Sequence, residues 1–109
     1  MKNLPIKSCL LILVLALVLP AFSVAADTGP DLFATKCASC HAKDGSGNTA
    51  MGKNMKLKDL GSADVQKASD KDLKDIVSKG KPPKMPPYGG KLNDAQINDL
   101  VKFIRSLKR

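Results

Sequence analysis

One short segment, CASCH from Cys37 to His41, constrains this chain more than any other feature. On a helix, residues three positions apart are neighbours on one face, so both thiols lie on the same side. His41 follows directly and is the sole histidine of the sequence. Cys-x-x-Cys-His is the attachment pattern of haem c, in which the thiols add to the two vinyl groups and the histidine binds the iron. The segment therefore predicts covalent haem on Cys37 and Cys40, with His41 as the proximal iron ligand.

Other uses of a cysteine pair fit less well. A structural zinc site needs four ligands, and residues 27–109 contain no further Cys or His. A thioredoxin-like redox pair needs a βαβ context, and no strand is predicted before Cys37. A plain disulfide leaves His41 without a role. Zinc and thiol chemistry remain the alternatives to haem.

The first 26 residues have the order of a secretory leader. A start with two lysines precedes an unbroken apolar run, Cys9 to Leu19, which Pro20 closes, and the small residues of Val24-Ala25-Ala26 follow. We expect a signal peptide over 1–26, cleaved after Ala26, and one domain over 27–109. An uncleaved anchor is the alternative, although the apolar stretch is near the lower length limit for a membrane span.

Residues 27–109 are too few to bury a large core. They contain three aromatic residues, Phe33, Tyr88 and Phe103, and no tryptophan. Small domains often depend on a disulfide or a metal for support. A large non-protein group in the middle of the domain would supply the missing core.

The charge favours a protein partner over nucleic acid. Of the 18 basic residues two lie in the leader, and the remaining 16 exceed the 10 acidic residues by six. The lysines are scattered, arginines are few, and residues that stack on bases are scarce, so we expect no nucleic-acid binding. A positive surface of this kind steers toward an acidic protein or an anionic membrane.

Hydrophobic periodicity predicts an all-α chain of three to four helices. The candidates are 30–40, a weak one at 63–67, then 69–80, and a last helix that begins after Asn93. The last is the clearest, because Asn93 and Gln96 have the spacing of a capping box. An all-α chain with long loops again suggests a non-protein group inside.

A single methionine lies in the stiff segment GKPPKMPPYGG, residues 80–90. Haem iron bound by histidine on one face takes a methionine sulfur on the other in electron-transfer cytochromes, which raises the reduction potential. Four prolines limit the conformations of the loop: Pro82, Pro83, Pro86 and Pro87. We therefore predict Met85 as the distal iron ligand, with Met51 and Met55 as less constrained rivals.

Taken together, these residues resemble the class I c-type cytochromes, especially the short bacterial and lumenal ones. Gly29-x-x-x-Phe33 is similar to the family's N-terminal helix, and KCASCHAKDGSGN, 36–48, to its haem segment. MPPYGGKLNDAQINDLVKFIRSL, 85–107, is similar to its methionine loop and last helix. The resemblance implies a small cytochrome c fold wrapped around one haem, with covalent haem c on Cys37 and Cys40 and axial His41 and Met85.

The same resemblance implies that the first and last helices cross. Gly29 and Phe33 of the first helix would lie near the contact, with Phe103 or Leu100 of the last. Many members also have a proline after the haem segment whose carbonyl accepts the second N–H of the histidine. This sequence has no proline from Asp31 to Lys81, so a carbonyl of the 44–54 loop is expected to replace it.

The leading interpretation is a soluble, monomeric one-electron carrier of the periplasm or an equivalent lumenal compartment, not an enzyme. Its redox partner proteins would dock transiently at the haem edge through lysines, with Lys36, Lys53, Lys81 and Lys84 as candidates. Tyr88 would bond a haem propionate or pack. The alternatives are a gas-binding haem sensor or small peroxidase with an open sixth position, and a subunit that feeds one larger enzyme.

Overall fold

The structure, a computed structural model, describes residues 19–21 and 27–109. Within these residues it contains helices and one isolated antiparallel bridge between Lys81 and Met85, with no strand. The predicted all-α fold is confirmed. The helices are α1 (Gly29–Lys36), α2 (Ala38–His41), α3 (Ala50–Met55), α4 (Ala63–Gln66), α5 (Asp70–Lys79) and α6 (Asp94–Ser106).

The predicted signal peptide lies outside the described residues, except for positions 19–21, which are exposed. The cleavage site expected after Ala26 also lies outside them. In the described part of the chain, no helix combines the length and the apolar character needed to cross a membrane.

Side-chain caps explain where α1, α5 and α6 begin. In α6, the Gln96 backbone N–H donates to Asn93 and the Asn93 N–H donates to the Gln96 side chain, both at 2.9 Å. Before α1, the Thr28 backbone N–H donates to the Asp31 carboxylate at 3.2 Å. The Ser69 side chain caps α5 by accepting from the Asp72 N–H. Each such cap contributes about 1 kcal/mol, because it satisfies N–H groups that have no partner within the helix.

The helix predicted over 30–40 is divided at Cys37. This residue has φ −117° and ends α1, and the short α2 then runs to His41, after which Ala42 takes a positive φ of 64°. α3 was not predicted, because its sequence AMGKNM mixes apolar, glycine and polar residues without a clear period. These two differences account for six helices in the described residues instead of the three to four expected.

The contact between α1 and α6 organises the fold, as the sequence resemblance implies. Phe33 and Leu100 are 2% and 1% exposed, and the ring centroids of Phe33 and Phe103 lie 4.8 Å apart. Gly29 allows the backbones to approach, because a Cβ there would lie 2.8 Å from the carbonyl carbon of Asp99. This crossing holds the end of α1, and therefore Cys37, against the last helix.

The buried core is small and aliphatic. α5 packs against α6 through Leu73 and Val77, and no polar or charged side chain is buried among the described residues. The buried set is Leu32, Phe33, Leu73, Val77, Leu92, Ile97, Leu100, Val101 and Ile104. The limited core expected from the composition is confirmed.

Polar side chains attach the segment around α4 to α6. The Gln66 amide donates to the carbonyls of Leu60 and Ile104, at 2.8 and 2.9 Å. The Arg105 guanidinium donates to the Gln66 carbonyl at 2.7 Å and to the Ala68 carbonyl. These bonds satisfy backbone carbonyls of a segment with few apolar contacts, and they fix the position of Leu60.

We expect Gly29→Ala to destabilise the haem-loaded protein by about 1–3 kcal/mol, since the new methyl group must push α1 away from α6. Gly90→Ala is the matched control, because a Cβ at Gly90 meets no atom within 4 Å. Denaturant unfolding of both variants measures the difference. Equal free energies of unfolding for the two variants would show that the helix crossing tolerates a side chain.

Candidate functional site

A cavity of about 370 Å³ lies beside the core. All six helices contribute to its wall, together with the loops at 56–60 and 81–85, and most of its lining atoms are apolar. Leu100 and Ile104 belong both to the core and to this wall. Its apolar lining includes Phe33, Leu57, Leu73, Val77, Leu100 and Ile104.

The four residues predicted from the sequence line this cavity or a smaller cleft that shares part of its wall. Cys37, His41 and Met85 line the large cavity. They also line a smaller cleft of about 50 Å³, whose wall includes Cys40. Their use as haem attachment points and iron ligands stays a prediction, but the fold brings all four together from segments more than forty residues apart.

The two cysteines are free and half-buried. Burial raises the pKa of the Cys37 thiol to about 11, against the opposite effect of the nearby Lys36. The thiol is therefore protonated at neutral pH. Within 19–21 and 27–109, no group of three or more Cys, His, Asp or Glu residues is placed to hold a metal ion. The described residues offer no ligand set for the zinc alternative.

The His41 ring in this wall has a nitrogen that makes no hydrogen bond. Its ring nitrogen Nδ1 is buried and has no hydrogen-bond partner. Burial also lowers the pKa of the imidazole, which favours the neutral form that binds metals. An unpartnered imidazole nitrogen and free thiols at the wall of an apolar cavity fit a large apolar group that brings its own iron, as haem c does.

The carbonyl expected to accept a proton from the His41 ring is not found. The loop after the haem segment contacts the backbone of His41 instead, because the Gly47 N–H donates to the His41 carbonyl at 2.7 Å. The expectation of a carbonyl from 44–54 in this role was wrong for the structure described. Gly47 has a φ of 76°, which suits glycine at this tight approach.

Thr49 and Gly52 hold the haem segment and were missed in the sequence. The Thr49 hydroxyl donates to the Cys40 carbonyl at 2.7 Å and accepts from the Gly52 N–H at 2.8 Å. A Cβ on Gly52 would lie 2.6 Å from that same carbonyl. α3 thus packs directly on the backbone of α2. Threonine is a preferred N-cap residue, so Thr49 was the signal in the sequence that could have indicated the start of α3.

Backbone bonds on both sides fix the position of Met85. The Lys81 N–H donates to the Met85 carbonyl at 2.9 Å, and the Met85 N–H donates to the Lys81 carbonyl at 3.0 Å. Farther along, the Tyr88 N–H donates to Val77 at 3.1 Å and ties the loop to the end of α5. Gly80 has a φ of 70°, and a Cβ built on it would lie only 2.5 Å from the Met85 carbonyl oxygen, so no side chain fits there. The proline-rich loop is therefore closed and anchored.

The rival methionines differ in position. Met55 is half-buried and lines the same cavity as Met85 and His41. Met51 is 55% exposed and does not line the cavity. Its sulfur lies 3.3 Å from the Cys40 sulfur. Met55 is consequently the one rival that the structure places near His41.

The Tyr88 hydroxyl already has an acceptor. It donates to the Lys36 carbonyl at 3.1 Å, and burial raises the pKa of the phenol. The Lys91 ammonium lies 5.7 Å from the ring centroid. This arrangement favours a structural contact over the propionate bond considered for Tyr88.

Lysines without a carboxylate partner surround the opening. Lys36, Lys56, Lys81 and Lys84 line one or both spaces, and none of them takes part in an ion pair among the described residues. Lys58 also lines the cavity but pairs with Asp64 at 2.7 Å. Among residues 19–21 and 27–109, no acidic side chain lines either space. Lys53, predicted for docking, is exposed on α3 and lies outside the lining.

Comparison with known proteins places this site in a family. The family model of cytochrome c oxidase, cbb3-type, subunit III matches residues 24–104. Cytochrome c6 of Picosynechococcus sp. is 35% identical over 109 residues, which cover 94% of this chain and 91% of the relative. The cbb3-type cytochrome c oxidase subunit FixPc of Rhizobium leguminosarum bv. viciae is 34% identical over 85 residues, which are 75% of this chain but 28% of that protein.

The fold agrees with these sequence matches. The solved structure of the KustC0563 c-type cytochrome superposes with a TM-score of 0.71 at 28% identity, over 76% of this chain and all of that one. The chain spans nearly the full length of the cytochrome c6 relative and about a quarter of the FixPc relative. From its sequence matches and its fold together, the chain belongs to the c-type cytochromes, the family that carries covalently bound haem c.

Proposed function

We propose that this protein is a one-electron carrier with one haem c attached to Cys37 and Cys40 and axial ligation by His41 and Met85. The observation that supports it most is an apolar cavity whose wall holds the three residues Cys37, His41 and Met85, with Cys40 in the wall of the cleft that shares these residues. No bond of a substrate is made or broken in this function, so the proposal does not include an enzymatic activity.

When bound, the haem supplies an iron that changes its charge by one electron. The protein residues set the conditions for that change. The neutral His41 imidazole and the Met85 thioether are ligands of moderate strength, and the thioether raises the reduction potential. The apolar wall excludes water, and the anchored 80–89 loop holds the sulfur in one place. Little has to rearrange when the charge changes.

Two kinds of relative support two versions of this proposal. The match over nearly the whole of cytochrome c6 favours a carrier that acts as a separate small protein. The match to the subunit III family and to part of FixPc favours a second candidate, a domain that delivers electrons within an oxidase assembly. We adopt the first, because the match to cytochrome c6 covers 94% of this chain and 91% of the relative, a protein of similar length.

Four lysines that line the cavity or the cleft make no ion pair among the described residues, and we call them the rim: Lys36, Lys56, Lys81 and Lys84. This rim supports transient docking of an acidic redox protein. Three of the four predicted docking residues line the cavity or the cleft, namely Lys36, Lys81 and Lys84. Electrons would pass through the haem edge at this opening, and a small interface suits fast release. We propose that the chain acts as a monomer in the periplasm or an equivalent lumen, after removal of residues 1–26.

The first experiment is an absorption spectrum of the mature holoprotein and of Met85→Ala. The wild type should show a c-type spectrum, with a sulfur-to-iron band when oxidised and no response to carbon monoxide when reduced. Met85→Ala should lose the band completely and bind carbon monoxide. Met55→Ala and Met51→Ala are the matched controls and should keep the band.

Different results would redirect the assignment. Loss of the band in Met55→Ala, and its retention in Met85→Ala, would transfer the ligand role to Met55. Rapid carbon monoxide binding by the wild type would favour a gas sensor or peroxidase. A preparation without haem, from cells able to attach it, would refute the carrier.

Docking through the rim predicts a dependence on salt. Electron exchange with an acidic redox protein should slow as the ionic strength rises from about 0.01 to 0.15 M, because the Debye length falls from about 30 to 8 Å. Lys36→Glu should reduce the rate at low salt by about tenfold and flatten the salt dependence. Lys102→Glu, the same charge change on an exposed α6 residue outside the lining, is the control. Equal effects of both substitutions would argue against the rim as the docking surface.

Cleavage of residues 1–26 can be tested separately. Intact mass measurement of the exported protein should give a chain that begins at Asp27, with one haem added. Ala26→Arg should leave the leader uncleaved, since the processing site requires a small residue there. Export of an uncut wild-type chain would instead indicate a retained anchor.

A further inference from the structure

Two side chains on either side of Met85 tie its loop to other helices. The Lys84 ammonium donates to the Met55 carbonyl at 3.2 Å, across 29 positions of sequence. The Tyr88 hydroxyl donates to the Lys36 carbonyl at 3.1 Å, across 52 positions. Lys84 and Lys36 both line the smaller cleft, as do Met55, Met85 and Tyr88. We call these two bonds the Lys84 latch and the Tyr88 latch.

Both acceptors are the last residues of helices. Met55 ends α3 and Lys36 ends α1. The final carbonyls of a helix have no partner within the helix and carry the negative end of its dipole. An ammonium group and a phenol proton are suitable partners for such oxygens. The latches therefore use bonding groups that the two helices leave free next to the cavity.

The latches have no substitute in the part of the chain that the structure describes. The remaining hydrogen bonds of residues 81–88 run within the loop, to the end of α5, or to the residues just after it. None of these other bonds reaches α1, α2 or α3. Without the latches, the loop stays attached at the α5 side and is free to swing away from the helices that carry Cys37 and Met55.

We propose that Lys84 and Tyr88 are positioning residues that keep the Met85 loop closed over the cavity. By holding the loop, they set how often the Met85 sulfur leaves the iron and how fast a small ligand enters. This inference rests on the proposed ligation by Met85. It adds two residues whose effect is kinetic and acts through the loop, without contact between either residue and the iron.

The test measures imidazole binding to the oxidised holoprotein, with the sulfur-to-iron band as the signal. At saturating imidazole, the observed rate reports opening of the Met85 loop. Lys84→Gln and Tyr88→Phe should each raise this rate by about threefold to tenfold, as expected for loss of one hydrogen bond. The double variant should raise it by about the product of the two factors, because the latches hold separate helices.

Lys81→Gln is the matched control for charge. Lys81 lines the same cavity, and its side chain makes no hydrogen bond or ion pair among the described residues. Its substitution removes the same positive charge without removing a latch, so the imidazole rate should stay at the wild-type value. Lys84→Arg should restore most of the closed state, since a guanidinium can donate to the same carbonyl. Tyr88→Phe removes only a hydroxyl and leaves the ring in place, which protects the fold.

The outcomes separate this inference from the proposed function. Wild-type rates in Lys84→Gln and Tyr88→Phe, with the band intact in every protein, would overturn the latches and leave the carrier unaffected. An increase of the same size in Lys81→Gln would also overturn them, because charge alone would then explain the effect. A wild-type protein without the sulfur-to-iron band would refute the Met85 ligation and the latches with it.

Discussion

The close contact between α1 and α6 is the constraint on which the remaining structure depends. Gly29 allows the α1 backbone to meet α6 near Asp99, and Phe33 and Leu100 are almost fully buried beside this contact. The contact determines where α1 ends and therefore where Cys37 lies. Because Leu100 also lines the cavity, the same helix face that closes the small core forms a wall of the site. Core and site cannot be separated in this fold.

An apolar cavity beside a small core has direct chemical consequences. Burial disfavours charge, so the Cys37 thiol stays protonated and the His41 imidazole stays neutral at the same wall. A neutral imidazole is ready to bind iron, and an apolar wall accepts a flat macrocycle. The lysines lie at the rim, where water solvates them, and none of the residues that the structure describes places a carboxylate in the lining. The site is thus apolar inside and positive at its edge, an arrangement suited to electron exchange with acidic proteins.

Local patterns in the sequence predicted the all-α fold, the capped start of α6 and four residues, Cys37, Cys40, His41 and Met85, that line the cavity or the adjoining cleft. They failed where stability comes from distant contacts. α3 is short and has a weak pattern of its own, and it is held by Thr49 and Gly52 against the Cys40 carbonyl. The expected partner of the His41 ring was wrong, since the loop contacts the His41 carbonyl instead. No local rule specifies which atom of a residue a folded loop will meet.

The sequence by itself determined the Cys-x-x-Cys-His spacing from which haem attachment is predicted, the stiffness of the loop around Met85 and the helix ends of α5 and α6. These properties depend on residues within a few positions of one another, so spacing is sufficient to read them. Only the tertiary structure decided that Met55 shares the cavity with His41 while Met51 stays outside, and that the Lys36 and Met55 carbonyls receive the two latches. Those contacts join residues far apart in the chain, and they exist because the helices pack in one arrangement.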